Sequence, residues 1–331
     1  MRAPDFWWQP QGGIATALLE PAARAYQAIA ALRAGTVRPW RAGVPVLCVG
    51  NLVVGGAGKT PVAIDVATRL AARGVAPHFL SRGYGGRLAG PVRVEPNRHG
   101  YAEVGDEPLL LARQAPTWVS CDRAAGARAA VAAGAGAIVM DDGFQNPSVA
   151  KDVSFVVVDG RRGFGNGRCL PAGPLRESLA SGLARADAVV LMGVDESGAA
   201  QAIAAVRRAL PILRARAVPG PELAELAGKP VVAFAGIGDP GKFFGTLRAA
   251  GCRMQGEVAF ADHHPYSAAD LVSLRERARV TAGLLVTTAK DAARLPAGAA
   301  ADVRVLTIGV EWEDEAVLET CLEPMIANSA R

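Results

Sequence analysis

Val46-Leu-Cys-Val-Gly-Asn51-Leu-Val-Val-Gly-Gly-Ala-Gly58-Lys59-Thr60-Pro61 is the stretch that decides the fold. A short apolar run, a glycine-rich loop and the start of a helix follow one another without a break. That order is the P-loop context. Glycines let backbone N–H groups turn towards a phosphate, and the N-terminus of the next helix presents partial positive charge to the same anion. A lysine for the β- and γ-phosphates and a hydroxyl for Mg²⁺ complete the pattern, and Lys59 and Thr60 stand at those places. The expected phosphate cradle is Val53, Val54, Gly55, Gly56, Ala57, Gly58, Lys59 and Thr60. It departs from the strict GxxxxGK[ST] pattern, because Val53 occupies the first glycine position. Lysine is scarce: the chain has five, and one stands where the loop needs it.

Outward from this stretch, apolar runs alternate with amphipathic helices. The strand-like runs at 45–52, 77–81, 117–120, 137–140, 153–158 and 188–192 are continuously apolar rather than alternating, as in strands buried on both faces. The pattern predicts an α/β fold, with a mostly parallel, P-loop NTPase-like sheet and helices on both faces. A polar, proline-rich stretch over 211–230 then precedes a second α/β series. We therefore expect a core domain over 41–225, a smaller α/β domain over 226–331 and a separate N-terminal region over 1–40. With 331 residues, half of them hydrophobic and 20% charged, the chain is not disordered. Its net charge of +5, with no nucleic-acid module, makes nucleic acid an unexpected partner. Five scattered cysteines without zinc spacing read as reduced thiols, each best taken as a small buried hydrophobe.

Three further segments carry candidate chemistry. Asp141-Asp142-Gly-Phe-Gln145 ends an apolar run, the Walker-B arrangement for Mg²⁺. Gly105-Asp106-Glu107-Pro108 opens a helix, and there capping by Asp106 is the preferred reading of the residues alone. Asp262-His263-His264 admits a metal pair, a catalytic base oriented by a carboxylate, or a solvated loop. Adjacent side chains diverge, so a single histidine paired with a distant carboxylate is the better catalytic reading. Two loops, Ser81-Arg-Gly-Tyr84-Gly and Leu170-Pro-Ala-Gly-Pro-Leu-Arg176-Glu, lie near the ligand edge. No Asn-Lys-x-Asp guanine motif occurs, which disfavours a GTPase.

The N-terminal region concentrates charge and tryptophan. Residues 1–41 hold five arginines against two acids, a net +3, and Trp7, Trp8 and Trp40. Ile14, Leu18, Ala22, Ala25, Ile29 and Leu32 share one helical face. Pro21 predicts a break, with a second helix running to about Arg33. No run is long enough to span a bilayer. An interfacial helix and an ordinary helix packed on the body fit the composition equally well.

Taken in order, these motifs resemble the tetraacyldisaccharide 4′-kinase family, through Gly-Gly-Ala-Gly-Lys-Thr-Pro, Ser-Arg-Gly-Tyr-Gly, Gly-Asp-Glu-Pro, Asp-Asp-Gly-Phe-Gln, Leu-Pro-Ala-Gly-Pro-Leu-Arg-Glu, Phe260-Ala-Asp-His-His-Pro-Tyr and Thr287-Thr-Ala-Lys-Asp291. Ala261 departs from the proline expected before Asp-His-His. The resemblance implies ATP and Mg²⁺, and phosphorylation of the 4′-hydroxyl of tetraacyldisaccharide 1-phosphate to give lipid IV-A. It implies an acylated disaccharide as substrate, an anionic membrane surface as partner, no obligate protein partner, and a monotopic place on the cytoplasmic face of the bacterial inner membrane. It implies Asp106 as general base polarised by His263, with Lys59 as the third catalytic group, and Thr60, Glu107, Asp141 and Asp142 around the metal. It also implies Asn51, Tyr84, Gln145 and Arg176 as nucleotide, phosphate or substrate contacts. On this footing the N-terminal helix is expected at the membrane interface.

Overall fold

A computed structural model describes residues 3–9, 12–296, 298–299 and 301–327; Arg2, part of the N-terminal charge, lies outside them. The strands are β1 (Val46–Gly50), β2 (Pro77–Ser81), β3 (Val92–Arg93), β4 (Thr117–Val119), β5 (Ala137–Asp141), β6 (Val153–Asp159), β7 (Ala188–Met192), β8 (Ile212–Pro219), β9 (Pro230–Ala235), β10 (Arg253–Ala259), β11 (Leu284–Thr288), β12 (Val303–Leu306) and β13 (Ile308–Trp312). The helices are α1 (Gly13–Thr36), α2 (Lys59–Ala72), α3 (Tyr101–Val104), α4 (Asp106–Leu111), α5 (Arg123–Ala132), α6 (Leu179–Ala184), α7 (Ala199–Val206), α8 (Glu222–Leu226), α9 (Pro240–Ala249), α10 (Ala268–Val280), α11 (Ala289–Ala292) and α12 (Glu315–Ala327).

Two sheets organise the chain. The larger has the order β13-β8-β7-β6-β1-β5-β2-β4-β3, and the smaller β10-β9-β11-β12. Every pairing is parallel except at the two edges of the large sheet, β13 on β8 and β3 on β4. β1 and β5 are buried throughout, because helices cover both faces. Alternate residues of the central strands enter two different cores: Cys48, Ile138 and Met140 on one face, Leu47, Val49 and Val139 on the other. The chain runs from β1 outward to β2 and β4, returns to β5, then crosses to β6 on the far side of β1. Strand order therefore reverses around β1, and the crevice beyond the carboxyl ends of β1 and β5 is the natural ligand site.

α2 fills the P-loop role through a local pattern. Val62, Ala63, Val66, Ala67 and Leu70 are buried at three- and four-residue spacing, so one face of the helix seals the sheet. Pro61 falls in the first turn, where its missing N–H costs no helical bond.

Four expectations are corrected. α1 runs unbroken through Pro21. The proline forfeits one helical hydrogen bond and crowds the carbonyl four residues back, but buried Thr16 and Ala23 hold the helix to the body on either side of it. The polar, proline-rich stretch over 211–230, expected only to separate the two α/β series, contains β8 and α8. Leu213 and Ala215 are buried while Arg214 and Arg216 are exposed, and that alternation gave the strand a polar look. The smaller α/β domain expected over 226–331 does not keep its last elements, because the chain divides at Thr307. Residues 303–306 complete the small sheet, whereas β13 and α12 return to the large one. Of the cysteines, Cys121 is exposed rather than buried.

The return of the C-terminus makes α12 part of the large sheet's core. Leu318, Leu322 and Met325 are fully buried there beside Phe155 and Val157. Leu322→Ala should therefore cost about 2–5 kcal/mol, read as a lowered urea midpoint for the P-loop half of the molecule. An unchanged midpoint would refute this placement of α12.

Candidate active site

The P-loop leaves β1 at Gly50, whose missing Cβ allows Phe144 to approach to 2.4 Å of where one would stand. Gly55 and Gly58 have φ of 119° and 89°, in the region that side chains avoid. Space at Gly55 and Gly56 is open towards the crevice. The Asn51 amide donates to the Gly55 carbonyl at 3.2 Å and so braces the loop from inside. Val53, in place of the expected glycine, is buried and forms an isolated bridge with Leu175. There the loop acts as an edge for the 170–177 segment: Val54 N–H donates to Pro174 O at 2.9 Å, and Arg176 N–H to Leu52 O at 2.7 Å. A side chain buried in the core suits that position, and a flexible one is not needed.

Around this loop stand the carboxylates of β5. The Thr60 hydroxyl donates to Asp141 Oδ2 at 3.0 Å. Asp141 is buried, and its Oδ1 has no hydrogen-bond partner; neither has Asn51 Oδ1. Buried polar atoms are almost always satisfied, so both oxygens point to a ligand. Burial raises the Asp141 pKa, opposed by the charge of Lys59. Asp142 turns away at a left-handed φ of 55°. Arg176 grips it with two N–H groups, at 2.9 and 3.3 Å, and Lys59 Nζ lies 3.8 Å from it. Burial alone would raise its pKa, but Lys59 and Arg176 hold it below the usual range. Gln145 donates to Asn51 O at 2.9 Å and to Glu177 at 3.1 Å, tying the β5 exit to the P-loop and to the 170–177 segment.

The second half of the site comes from the small sheet. His263 Nδ1 lies 3.1 Å from Asp106 Oδ2, joining residues 157 positions apart. Asp106 is 4% exposed. Burial disfavours its charge, yet the His263 hydrogen bond, the contact with Glu107 and the charge of Lys290 depress its pKa strongly. The Asp106 hydrogen bond raises the His263 pKa above its ordinary 6.5. The pair is thus a carboxylate beside a histidine that holds its proton unusually well. His263 adopts φ 57°. Such strain in a non-glycine residue costs on the order of 1–3 kcal/mol and collects at functional sites. The histidine doublet separates as expected: His264 stacks on Phe260 and bonds Asp270 at 3.2 Å, a role within its own sheet. Exposed Tyr84 stands at the mouth, its ring 6.3 Å from His263.

Two expectations change. Asp106 is not the cap: Gly105 is, and Asp106 is the first helical residue, whose carboxylate takes from the helix backbone the Glu107 N–H at 3.1 Å. The expected metal set of Thr60, Glu107, Asp141 and Asp142 does not assemble. Asp142 is engaged by Arg176, and Glu107 by Lys290 at 2.6 Å. Among the described residues no three His, Cys, Asp or Glu gather as a cage. Thr60 and the free oxygen of Asp141 remain, and that fits Mg²⁺, which uses one or two protein oxygens and takes the rest from phosphate and water. Sequence reasoning gave no role to Lys290 or Arg294; Arg294 Nε lies 3.5 Å from Asp106 Oδ2. The scarcity of lysine and the Thr-Thr-Ala-Lys-Asp motif were the available signals for Lys290. Nothing local marked Arg294.

The chain is similar to known proteins over nearly its whole length. A family model described as tetraacyldisaccharide-1-P 4′-kinase matches residues 15–327. A tetraacyldisaccharide 4′-kinase of Rhodospirillum centenum is 55% identical, covering 99% of this chain and 98% of that one. One of Rhodospirillum rubrum is 53% identical, covering 98% of each. A crystal structure of LpxK from Aquifex aeolicus in complex with ATP superposes with a TM-score of 0.75 at 27% identity, covering 94% of this chain and 99% of that one.

Gly105 sets the approach of Asp106. Its φ is 90°, and a Cβ would meet Tyr84 O at 2.6 Å. Gly105→Ala should lower the melting temperature by several degrees, by differential scanning fluorimetry. A melting temperature equal to wild type would contradict this strained contact.

Proposed function

The chain belongs to the tetraacyldisaccharide-1-phosphate 4′-kinase family, and from that premise we propose how its residues carry out the reaction. It is an ATP-dependent kinase that transfers the γ-phosphoryl group to the 4′-hydroxyl of tetraacyldisaccharide 1-phosphate, giving lipid IV-A. The observation that carries the assignment of roles is the Asp106–His263 contact, which faces a P-loop whose Thr60 and Asp141 are already joined.

Asp106 accepts the proton of the 4′-hydroxyl. A sugar hydroxyl is a poor nucleophile at neutral pH, and a positioned base contributes about 10²–10⁴-fold. Alone, a carboxylate with so depressed a pKa is a weak base. His263 supplies the balance. While the imidazole is protonated, its charge holds Asp106 passive; once that proton leaves, the dyad has room for the substrate's proton. Burial presses partly buried Lys59 towards its neutral form, and an arriving polyphosphate supplies the counter-charge that restores it. Gly55, Gly56 and Gly58 let the loop backbone cradle the phosphates. Thr60 and Asp141 would hold Mg²⁺, which when bound withdraws charge from the phosphoryl oxygens. Arg176 and Tyr84 stand where nucleotide or acceptor must pass. Most of the acceleration comes from this alignment.

The acceptor is a lipid, and α1 supports a membrane-docking reading. Among the described residues no helix is long and apolar enough to cross a membrane. The stripe foreseen from the sequence is exposed: Ile14 is 82%, Leu18 76% and Leu32 70% exposed. α1 therefore does not bury that face on the body, and an apolar stripe flanked by Arg24, Arg33 and Arg38 suits an anionic bilayer surface. The tryptophans act differently from a simple interfacial belt. Trp7 donates to Pro171 O at 3.0 Å, Arg162 lies over Trp8 at 5.1 Å, and Trp40 packs on the core. They fasten the ends of α1 to the body. The cytoplasmic face of the inner membrane, where ATP and the lipid meet, is the place this reading requires.

Incubated with labelled ATP and tetraacyldisaccharide 1-phosphate, wild type should yield the 4′-phosphorylated product, and Asp106→Asn at least about 10²-fold less. The kcat/KM profile should rise with pH through a midpoint above 6.5, because deprotonation of His263 frees the dyad. His263→Ala should abolish that limb and lower kcat far more than it raises KM for ATP. An inactive wild type overturns the function, and an unchanged His263→Ala overturns the role of the dyad. Deleting residues 1–35 should release the protein from vesicles containing anionic lipid in a flotation assay; retained binding would place the docking surface elsewhere.

A further inference from the structure

The Thr287-Thr-Ala-Lys-Asp291 motif is not accounted for by the dyad, the P-loop or the membrane helix. Its local structure shows what it holds. Asp291 is fully buried and receives Gly236 N–H at 2.8 Å, Tyr266 O–H at 2.7 Å and Arg294 at 2.9 Å. Thr288 and Asp291 cap one another, the hydroxyl donating to the carboxylate and accepting the Asp291 N–H at 3.1 Å. α11 is thereby pinned to the small sheet, although four residues are too few for a helix to be stable alone. With Asp291 turned inward, Lys290 is carried outward against α4, where its Nζ meets Glu107 Oε1 at 2.6 Å.

The contact lies one residue from the proposed base. Glu107 and Asp106 are consecutive, and the Glu107 N–H donates to Asp106 Oδ1 at 3.1 Å. A force that holds Glu107 in place therefore holds that N–H and the Asp106 carboxylate with it. His263 grips Asp106 from one loop of the small sheet, and Lys290 grips Glu107 from another. The two ends of the small sheet's active edge thus clamp one turn of α4.

We propose that Lys290 is a positioning residue for the phosphoryl transfer: through its ion pair with Glu107 it locks the first turn of α4 against the small sheet, so that Asp106 meets His263 and the acceptor hydroxyl in one geometry. The inference rests on the kinase reading above and adds to it a residue that touches neither the proposed base nor the proposed metal ligands. Lys290 acts as a rigid tether, so its loss shows in the chemical step rather than in nucleotide binding. Misplacing a reacting group by about 1 Å costs on the order of 10²-fold.

The test uses full-length protein, with wild type assayed in parallel on tetraacyldisaccharide 1-phosphate. Lys290→Met should lower kcat by about 10–100-fold, with KM for ATP changed by less than about threefold. Lys290→Arg, which keeps the charge and reach, should recover most of the loss. Glu107→Gln should fall similarly, and the double variant should be no worse than the poorer single one, because both break the same contact. Folding is monitored by thermal melting. Should Lys290→Met unfold, Lys290→Arg and Glu107→Gln carry the comparison. A kcat for Lys290→Met within twofold of wild type, no rescue by arginine, or multiplicative losses in the double variant would each overturn the proposal. Loss of wild-type product would instead overturn the kinase reading itself, so the two failures are distinct.

Discussion

Four carboxylates stand along one edge of the large sheet, and the site is arranged around bringing a donor or a cation to each of them. Asp106 and Asp141 are buried, 4% and 3% exposed, while Glu107 and Asp142 lie beside them. An isolated buried carboxylate would take up a proton rather than remain ionised. Each of the four is met instead by a donor or cation: Thr60 for Asp141, Arg176 for Asp142, Lys290 for Glu107, His263 and Arg294 for Asp106. The partners divide by origin. Those for the β5 pair come from the large sheet's own loops, and those for the α4 pair come from the small sheet. Charge compensation is therefore what joins the two halves at the site.

This division explains why the small sheet is built as it is. Its order, β10-β9-β11-β12, is parallel throughout, so the carboxyl ends of β9 and β11 lie at one edge. The loop after β10 delivers His263, and the turn after β11 delivers Lys290 and Arg294. Buried Asp291 ties that edge together by accepting from Gly236, Tyr266 and Arg294. A rigid edge matters because its side chains must reach across to another sheet. Strain at His263 is tolerated for the same reason: its N–H is held by Gly236 O at 3.0 Å.

The N-terminal region follows a similar logic at longer range. Asn166 N–H donates to Trp7 O at 2.8 Å, and its amide donates to Ala172 O at 2.9 Å. The root of α1 is thereby attached to the segment that ends in Arg176 beside Asp142. The exposed stripe of α1 and the β5 carboxylates are thus joined by one continuous piece of chain. The membrane docking proposed for α1 would thereby be tied to the segment that holds Asp142.

Much of this was legible in the residues alone. Continuous Val- and Ile-rich runs specify buried parallel strands, and a glycine loop entering a helix specifies an anion cradle, since both are local consequences of backbone chemistry. The P-loop, the aspartate pair at the end of β5 and the apolar stripe of α1 follow from spacing, whereas the choice of Asp141 as the partner of Thr60 came from the fold. What tertiary structure decided is non-local. That the α1 stripe faces outward, that β8 is a strand despite its arginines, and that β13 and α12 return to the first sheet depend on contacts between distant segments. That Asp106 answers to His263 and Arg294 rather than capping α4, and that Glu107 meets Lys290, depends on charges brought together across 150 or more residues of chain. A sequence states which groups can be ionised. Only the fold sets their distances, and those distances decide which partner each one meets.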